Sequence, residues 1–164
     1  MKIALLIIDL QVGLMQESPA LPLRAKKACE HINYVASLLR SNRQLVVHVQ
    51  DNEQQEDEAA FAIIPEVDQE PDDLYIRKTW ANGFWNTELE TILRNREIDL
   101  VIVSGFAAEH CALFTFNGAV ERGFKTAILQ KGVVSMYEDQ PLSLYRDRFT
   151  ISYPVVEAIL GVKE

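Results

Sequence analysis

Four short apolar runs punctuate the chain: KIALLII at 2–8, LVVHV at 45–49, DLVIVSG at 99–105 and KTAILQ at 125–130. Each is apolar at consecutive rather than alternating positions. That pattern suits strands covered on both faces, as in a parallel sheet between two layers of helices. LYIR at 74–77 is a further candidate strand. Between the runs the period changes. Within 22–41, Ala25, Ala28, Cys29, Ile32, Val35, Ala36 and Leu39 recur at three- and four-residue intervals, which predicts a helix. Thr87 stands before ELETILRNRE with Glu90 three residues on, the pattern of a capping box. Cys111, Phe114, Thr115, Gly118 and Ala119 mark one face of a helix over 109–122. Pro154 is tolerated in the first turn of a last short helix at 154–160.

Strand and helix patterns that alternate in this way predict an α/β fold. The expected form is a three-layer α/β/α sandwich with a mainly parallel, Rossmann-like sheet and right-handed crossovers. Residues 51–73 interrupt it. They are acidic and broken by Pro65 and Pro71. They read as a solvated surface excursion with one helical turn, or else as a lid or an oligomer contact. No repeat or linker divides the 164 residues, so 1–164 is read as one domain.

Composition narrows the function. The net charge of -8 argues against nucleic acid or an anionic membrane as the main partner, since both reward clustered Lys and Arg. LRAKKA at 23–28 is the nearest basic cluster and reads as one helix face. The N-terminal apolar core spans only Ile3 to Ile8 before Asp9, too short for a signal sequence, and no run approaches a membrane span. A cytoplasmic location is expected. Cys29 and Cys111 make neither a disulfide framework nor a zinc signature.

In an open parallel sheet, ligands bind beyond the carboxyl ends of the strands. Asp9 follows the first run, Lys78 follows LYIR, and Cys111 lies just past DLVIVSG. Each has a plain structural alternative: a turn cap, an exposed lysine and a buried small hydrophobe. The setting of Cys111 favours more. A helix N-terminus carries partial positive charge and unpaired N–H groups, which lower a thiol pKa and can hold an oxyanion. Lys78 would add a full charge, and Asp9 could accept the thiol proton. His110 points elsewhere on such a helix, and His31 and His48 read as packing residues. Cys29 reads as core.

At these residues the sequence resembles the isochorismatase-like cysteine hydrolases, which include nicotinamidases and N-carbamoylsarcosine amidases. IALLIIDLQ looks like the family's opening strand with its catalytic aspartate, here Asp9. RKTWANGFWNTELETIL looks like the segment carrying its lysine, here Lys78, and VIVSGFAAEHCALFTFNGAVERGFKTAIL like its nucleophile segment, with Cys111 at the nucleophile. The resemblance implies a cis peptide at Phe106-Ala107, aiming the N–H groups of Ala107 or Ala108 and of Cys111 at the substrate oxygen. It also implies a homo-oligomer, a dimer or tetramer.

The sequence departs from the family pattern at three places. Leu14 stands where an aromatic residue is common, Ala108-Glu109 replaces Thr-Asp, and Asp51 has no following histidine to help bind a metal. No metal or other cofactor is therefore expected. Gln11, Leu14, Trp80, Phe84 and Trp85 are candidates for a substrate pocket, with loop packing as the alternative for the aromatics and a structural role for Gln11. The implied activity is hydrolysis of a small-molecule amide or carbamoyl group through a thioester. Vinyl-ether hydrolysis, a non-catalytic binding or assembly module, and a redox-sensing thiol remain as alternatives.

Overall fold

The computed structural model describes residues 1–53, 55–139 and 141–162. Among them, six strands form one parallel sheet: β1 (Ile3–Ile8), β2 (Leu45–Asp51), β3 (Leu74–Lys78), β4 (Leu100–Phe106), β5 (Lys125–Val134) and β6 (Thr150–Ile151). Their order is β3-β2-β1-β4-β5-β6, with every pair parallel. The strand order reverses between β1 and β4, so the carboxyl ends of these strands flank the crevice where ligands enter such sheets.

β1 lies at the centre and all six of its residues are buried, as its unbroken apolar run predicts. Its alternate residues feed two cores. Ile3, Leu5 and Ile7 pack with α2 (Leu21–Ser41), which follows the short helix α1 (Val12–Met15), and with Val156 of α7 (Tyr153–Leu160), which follows α6 (Leu142–Asp147). Ala4, Leu6 and Ile8 pack with α4 (Leu89–Asn95) and α5 (Cys111–Glu121) on the opposite face. Three layers follow directly from the period-two alternation of side chains along a strand.

Local departures from the sequence reading have identifiable causes. The helix after Thr87 starts two residues later, at Leu89, with Glu88 as its N-cap. Thr87 donates to Gly83 O at 2.6 Å and accepts from the Leu89 N–H at 3.3 Å, but Glu90 turns outward to Arg94 and Arg122 rather than back to Thr87, so no capping box forms. On α5 the buried face is Ala112, Thr115, Phe116, Gly118 and Ala119, while Phe114 is about half exposed. β5 continues past Gln130 to Val134 through a register irregularity opposite Val103 and Gly105. The excursion does contain one helical turn, α3 (Glu58–Phe61). It is less solvated than its charge predicts, because Ile64 and Val67 are buried beside α2 and Ile63 pairs with Gln11. His31 is only half-buried, stacked on Tyr153, whereas His48 lies in the interior. Among the described residues no helix is long and apolar enough to cross a membrane.

Candidate active site

Three strand ends meet at one point. Asp9, the first residue past β1, takes a left-handed backbone conformation (φ 50°), which turns the chain out of the sheet, and its N–H is tied to Val49 O at 2.8 Å. Asp51 and Lys78 end β2 and β3 and are direct partners in the parallel register. Cys111 opens α5, after a turn that follows β4. The sheet register therefore brings together residues that lie far apart in sequence.

Lys78 is the hub. Its ammonium lies 2.7 Å from Asp9 Oδ2, 2.9 Å from Asp51 Oδ2 and 3.3 Å from Cys111 Sγ, and its side chain has no exposed surface. Carboxylate oxygens of Asp9 and Asp51 and the Cys111 sulfur lie within 4.8 Å of one another, the spacing of a metal-ligand set. Lys78 is in contact with all three and supplies the cation there, so this donor set does not fit a metal as it stands.

Burial controls the acid–base chemistry. It pushes the Asp9 carboxyl up to about 6, although the Lys78 ammonium and the Cys111 thiol both act to hold it down. The Cys111 thiol is pushed up to about 12, first by burial and then by the Asp9 charge, with Lys78 opposing. This corrects the expectation of a lowered thiol pKa. The helix N-terminus and lysine are in place, but desolvation and a neighbouring carboxylate outweigh them. The resting pair is a protonated sulfur beside a charged carboxylate. One oxygen of that carboxylate, Oδ1, is buried and has no hydrogen-bond partner among the described residues.

The turn between β4 and α5 carries the cis peptide Phe106-Ala107. Ala108 donates its N–H to Val134 O at 2.9 Å and is thereby removed from any oxyanion cradle. Ala107 O accepts from the N–H groups of His110 and Ala112 at 3.0 and 3.1 Å. The N–H groups of Ala107 and Cys111 take no part in these bonds.

The pocket candidates divide. Gln11 is buried, and its amide is spent on the backbone: Nε2 donates to Asp51 O and Phe61 O at 3.0 and 3.2 Å, and Oε1 accepts from Asp51 N at 2.8 Å. It clamps β1, β2 and α3 rather than facing a ligand. Phe84 also belongs to the interior, stacked on Phe124 at 6.1 Å under the Arg122 guanidinium. Leu14 packs against the core on the α2 side. Trp80 and Trp85 are more than half exposed in the loop after Lys78. Cys29 is core, with its thiol also pushed up to about 12 by burial. Sequence reasoning missed Asp51 as a partner of Lys78. The available signal was its position two residues past the second apolar run, close to that of Asp9 after the first.

Comparison with known proteins bears on the family and the fold. The profile of the Isochorismatase domain matches residues 3–149. YaaI of Bacillus subtilis, described as an uncharacterized isochorismatase family protein, is 26% identical over 145 residues, covering 80% of each chain. An isochorismatase-like hydrolase from Alkaliphilus metalliredigens superposes with a TM-score of 0.84 at 20% identity, covering 100% of both chains. N-carbamoylsarcosine amidase from Thermoplasma acidophilum superposes with a TM-score of 0.76 at 21% identity, covering 98% of this chain and 94% of that one. At such identities the structural likeness is one of fold. The sequence profile, spanning nearly the whole chain, goes further: the protein belongs to the isochorismatase family and has its hydrolase fold.

Proposed function

We propose that the protein is a cysteine hydrolase acting on a small C–N substrate, an amide or carbamoyl compound. The observation that carries this reading is the buried ammonium of Lys78 in contact with Asp9, Asp51 and Cys111. Asp9 takes the thiol proton, and the sulfur attacks the substrate carbonyl carbon. The C=O pair moves onto oxygen, where the N–H groups of Ala107 and Cys111 stabilise it. Collapse breaks the C–N bond, and the leaving amine takes the proton held by Asp9. Water then adds to the thioester, giving its proton to Asp9, and the acid leaves as the thiol is restored. Lys78 stays charged throughout and keeps the sulfur and carboxylate in register.

A nucleophilic sulfur favours this chemistry over vinyl-ether hydrolysis, which has no need of one. The same reading has the chain acting on a small molecule and assembling with copies of itself. The exposed side chains of Trp80, Trp85 and Phe114, near the catalytic segments, are in keeping with that. The test is ammonia release across a panel of small amides, with Cys111→Ser beside the parent. The parent is expected to cleave at least one amide and the variant to lose about a hundredfold or more in kcat. A serine variant as active as the parent removes the nucleophile assignment.

A further inference from the structure

The departure at Glu109 has a structural counterpart. Glu109 sits two residues before the nucleophile, in the turn that carries the Ala107 and Cys111 N–H groups. Its carboxylate accepts from both the Ser135 hydroxyl and, at 3.2 Å, the Met136 N–H. Ser135 is buried, and its oxygen also accepts from the N–H groups of Tyr137 and Glu138 at 3.2 and 3.1 Å. The carbonyls of Ser135 and Met136 accept from the Arg24 guanidinium of α2, at 3.2 and 2.8 Å. With the Ala108 N–H on Val134 O, the turn is fastened to residues 134–136 at three points. None of these contacts touches the sulfur.

We propose that Glu109 is a positioning residue. Its carboxylate, acting through Ser135 and Met136, fixes the 107–111 turn so that the N–H groups of Ala107 and Cys111 converge on the substrate oxygen. This rests on the cysteine-hydrolase reading and adds to it the means by which the oxyanion donors are aimed. A shorter or neutral side chain at 109 leaves the sulfur in place and lets those donors drift.

Two probes of Cys111 separate aim from integrity. Acetaldehyde adds to the thiol: a C–S bond forms, the C=O pair becomes an oxyanion, and the thiol proton passes by way of Asp9 to that oxygen. Iodoacetamide alkylates the same sulfur with loss of iodide and of the thiol proton, and develops no carbonyl oxyanion. Acetaldehyde affinity is read as protection of Cys111 from iodoacetamide, for the parent, Glu109→Ala, Glu109→Gln and Ser135→Ala. Glu109→Ala is expected to weaken protection about tenfold, less than the loss of a whole oxyanion donor, while its alkylation rate without aldehyde stays within about threefold of the parent's. Glu109→Gln, which keeps one acceptor, recovers part of the loss. Ser135→Ala, which removes one of the two contacts of Glu109 and leaves the Met136 N–H, is expected to weaken protection by less than Glu109→Ala does.

Unchanged protection in Glu109→Ala overturns the proposal. So does a loss that merely tracks the alkylation rate, which is the mark of a structural role, and so does a parent that acetaldehyde fails to protect. If no amide is cleaved but protection depends on Glu109 as described, the positioning role stands and the C–N substrate reading falls.

Discussion

A lysine with no exposed side-chain surface loses the hydration of its charge, and burial alone lowers its pKa. For Lys78 that effect is overcome by the Asp9 charge, then by Cys111 and by hydrogen bonds to Asp9 and Asp51, so the net direction is upward. The lysine is a permanent cation, and Asp9 is the group that titrates near neutrality. A base must be unprotonated to act. With the Asp9 carboxyl pushed up to about 6, kcat/KM on a cleaved amide is expected to fall as pH drops through about 6. Lys78→Met removes the positive charge that holds that value down. The acid limb should move to higher pH, and the rate should drop at every pH. A pH profile for the variant with its limb unmoved would show that Lys78 does not tune Asp9.

Asp9, Lys78 and Cys111 were legible because each follows an apolar run. For Asp51 and Gln11 the sequence showed a position after an apolar run and a possible structural role, but not their partners, which come from strand register and from a bridge to the excursion. The thiol pKa was misread for a related reason. Helix and lysine are visible in sequence, whereas the depth of burial is not.

At the scale of elements, the site depends on how closely β1 and β4 approach at the switch of the sheet. Gly105 allows that approach. It has φ 97°, and a Cβ there would stand 2.1 Å from Ile8 O and 2.5 Å from Ile8 N. Both obstacles are backbone of the central strand, so no side-chain rotation relieves them. Gly105→Ala combines left-handed strain with overlap in the core, and a loss of more than about 4 kcal/mol is expected. Thermal or urea unfolding measures it. A variant within about 1 kcal/mol of the parent would mean that the two strands can separate at low cost. The apolar runs announced the strands, but only in part where polar residues interrupt them. Gln130 and Lys131 are exposed within β5 and hid its last three residues from a hydropathy reading. The face of α5 was misplaced because Phe114, apolar but about half exposed, fits the helical period as well as buried Phe116 does.

At the scale of the whole molecule, the acidic excursion had to be joined to the sandwich, and a buried polar cluster joins it far from Cys111 in sequence. Asp73, just before β3, accepts from Arg40 of α2 at 3.0 and 2.7 Å, from the Glu70 N–H at 3.0 Å, and meets His48 Nε2 of β2 at 2.9 Å. One carboxylate thus links a helix, a strand and the end of the excursion. Burial acts to raise its pKa, but Arg40, the Glu70 N–H and His48 together hold it below the usual carboxylate value. Its stabilisation is therefore complete above the unfolded value of 3.8 and is lost as pH falls through the lower folded value. His48 is lowered mainly by burial, with Asp73 opposing, so it is buried neutral. The unfolded chain binds the imidazole proton first, and that contribution is lost as pH falls below 6.5. Asp9 works the other way between 3.8 and about 6, because its folded form binds the proton more tightly. Asp73→Asn isolates the cluster from that opposing effect, which both proteins share. The variant is expected to lose on the order of 2–3 kcal/mol at pH 7, where Arg40 and the Glu70 N–H keep only a neutral partner. The gap between parent and variant should narrow as pH falls below about 4, because the parent carboxylate is then giving up its own charge. Urea unfolding of both proteins at pH 7 and at low pH reads this out, and a gap of constant size would mean that the cluster holds the excursion by shape rather than by charge.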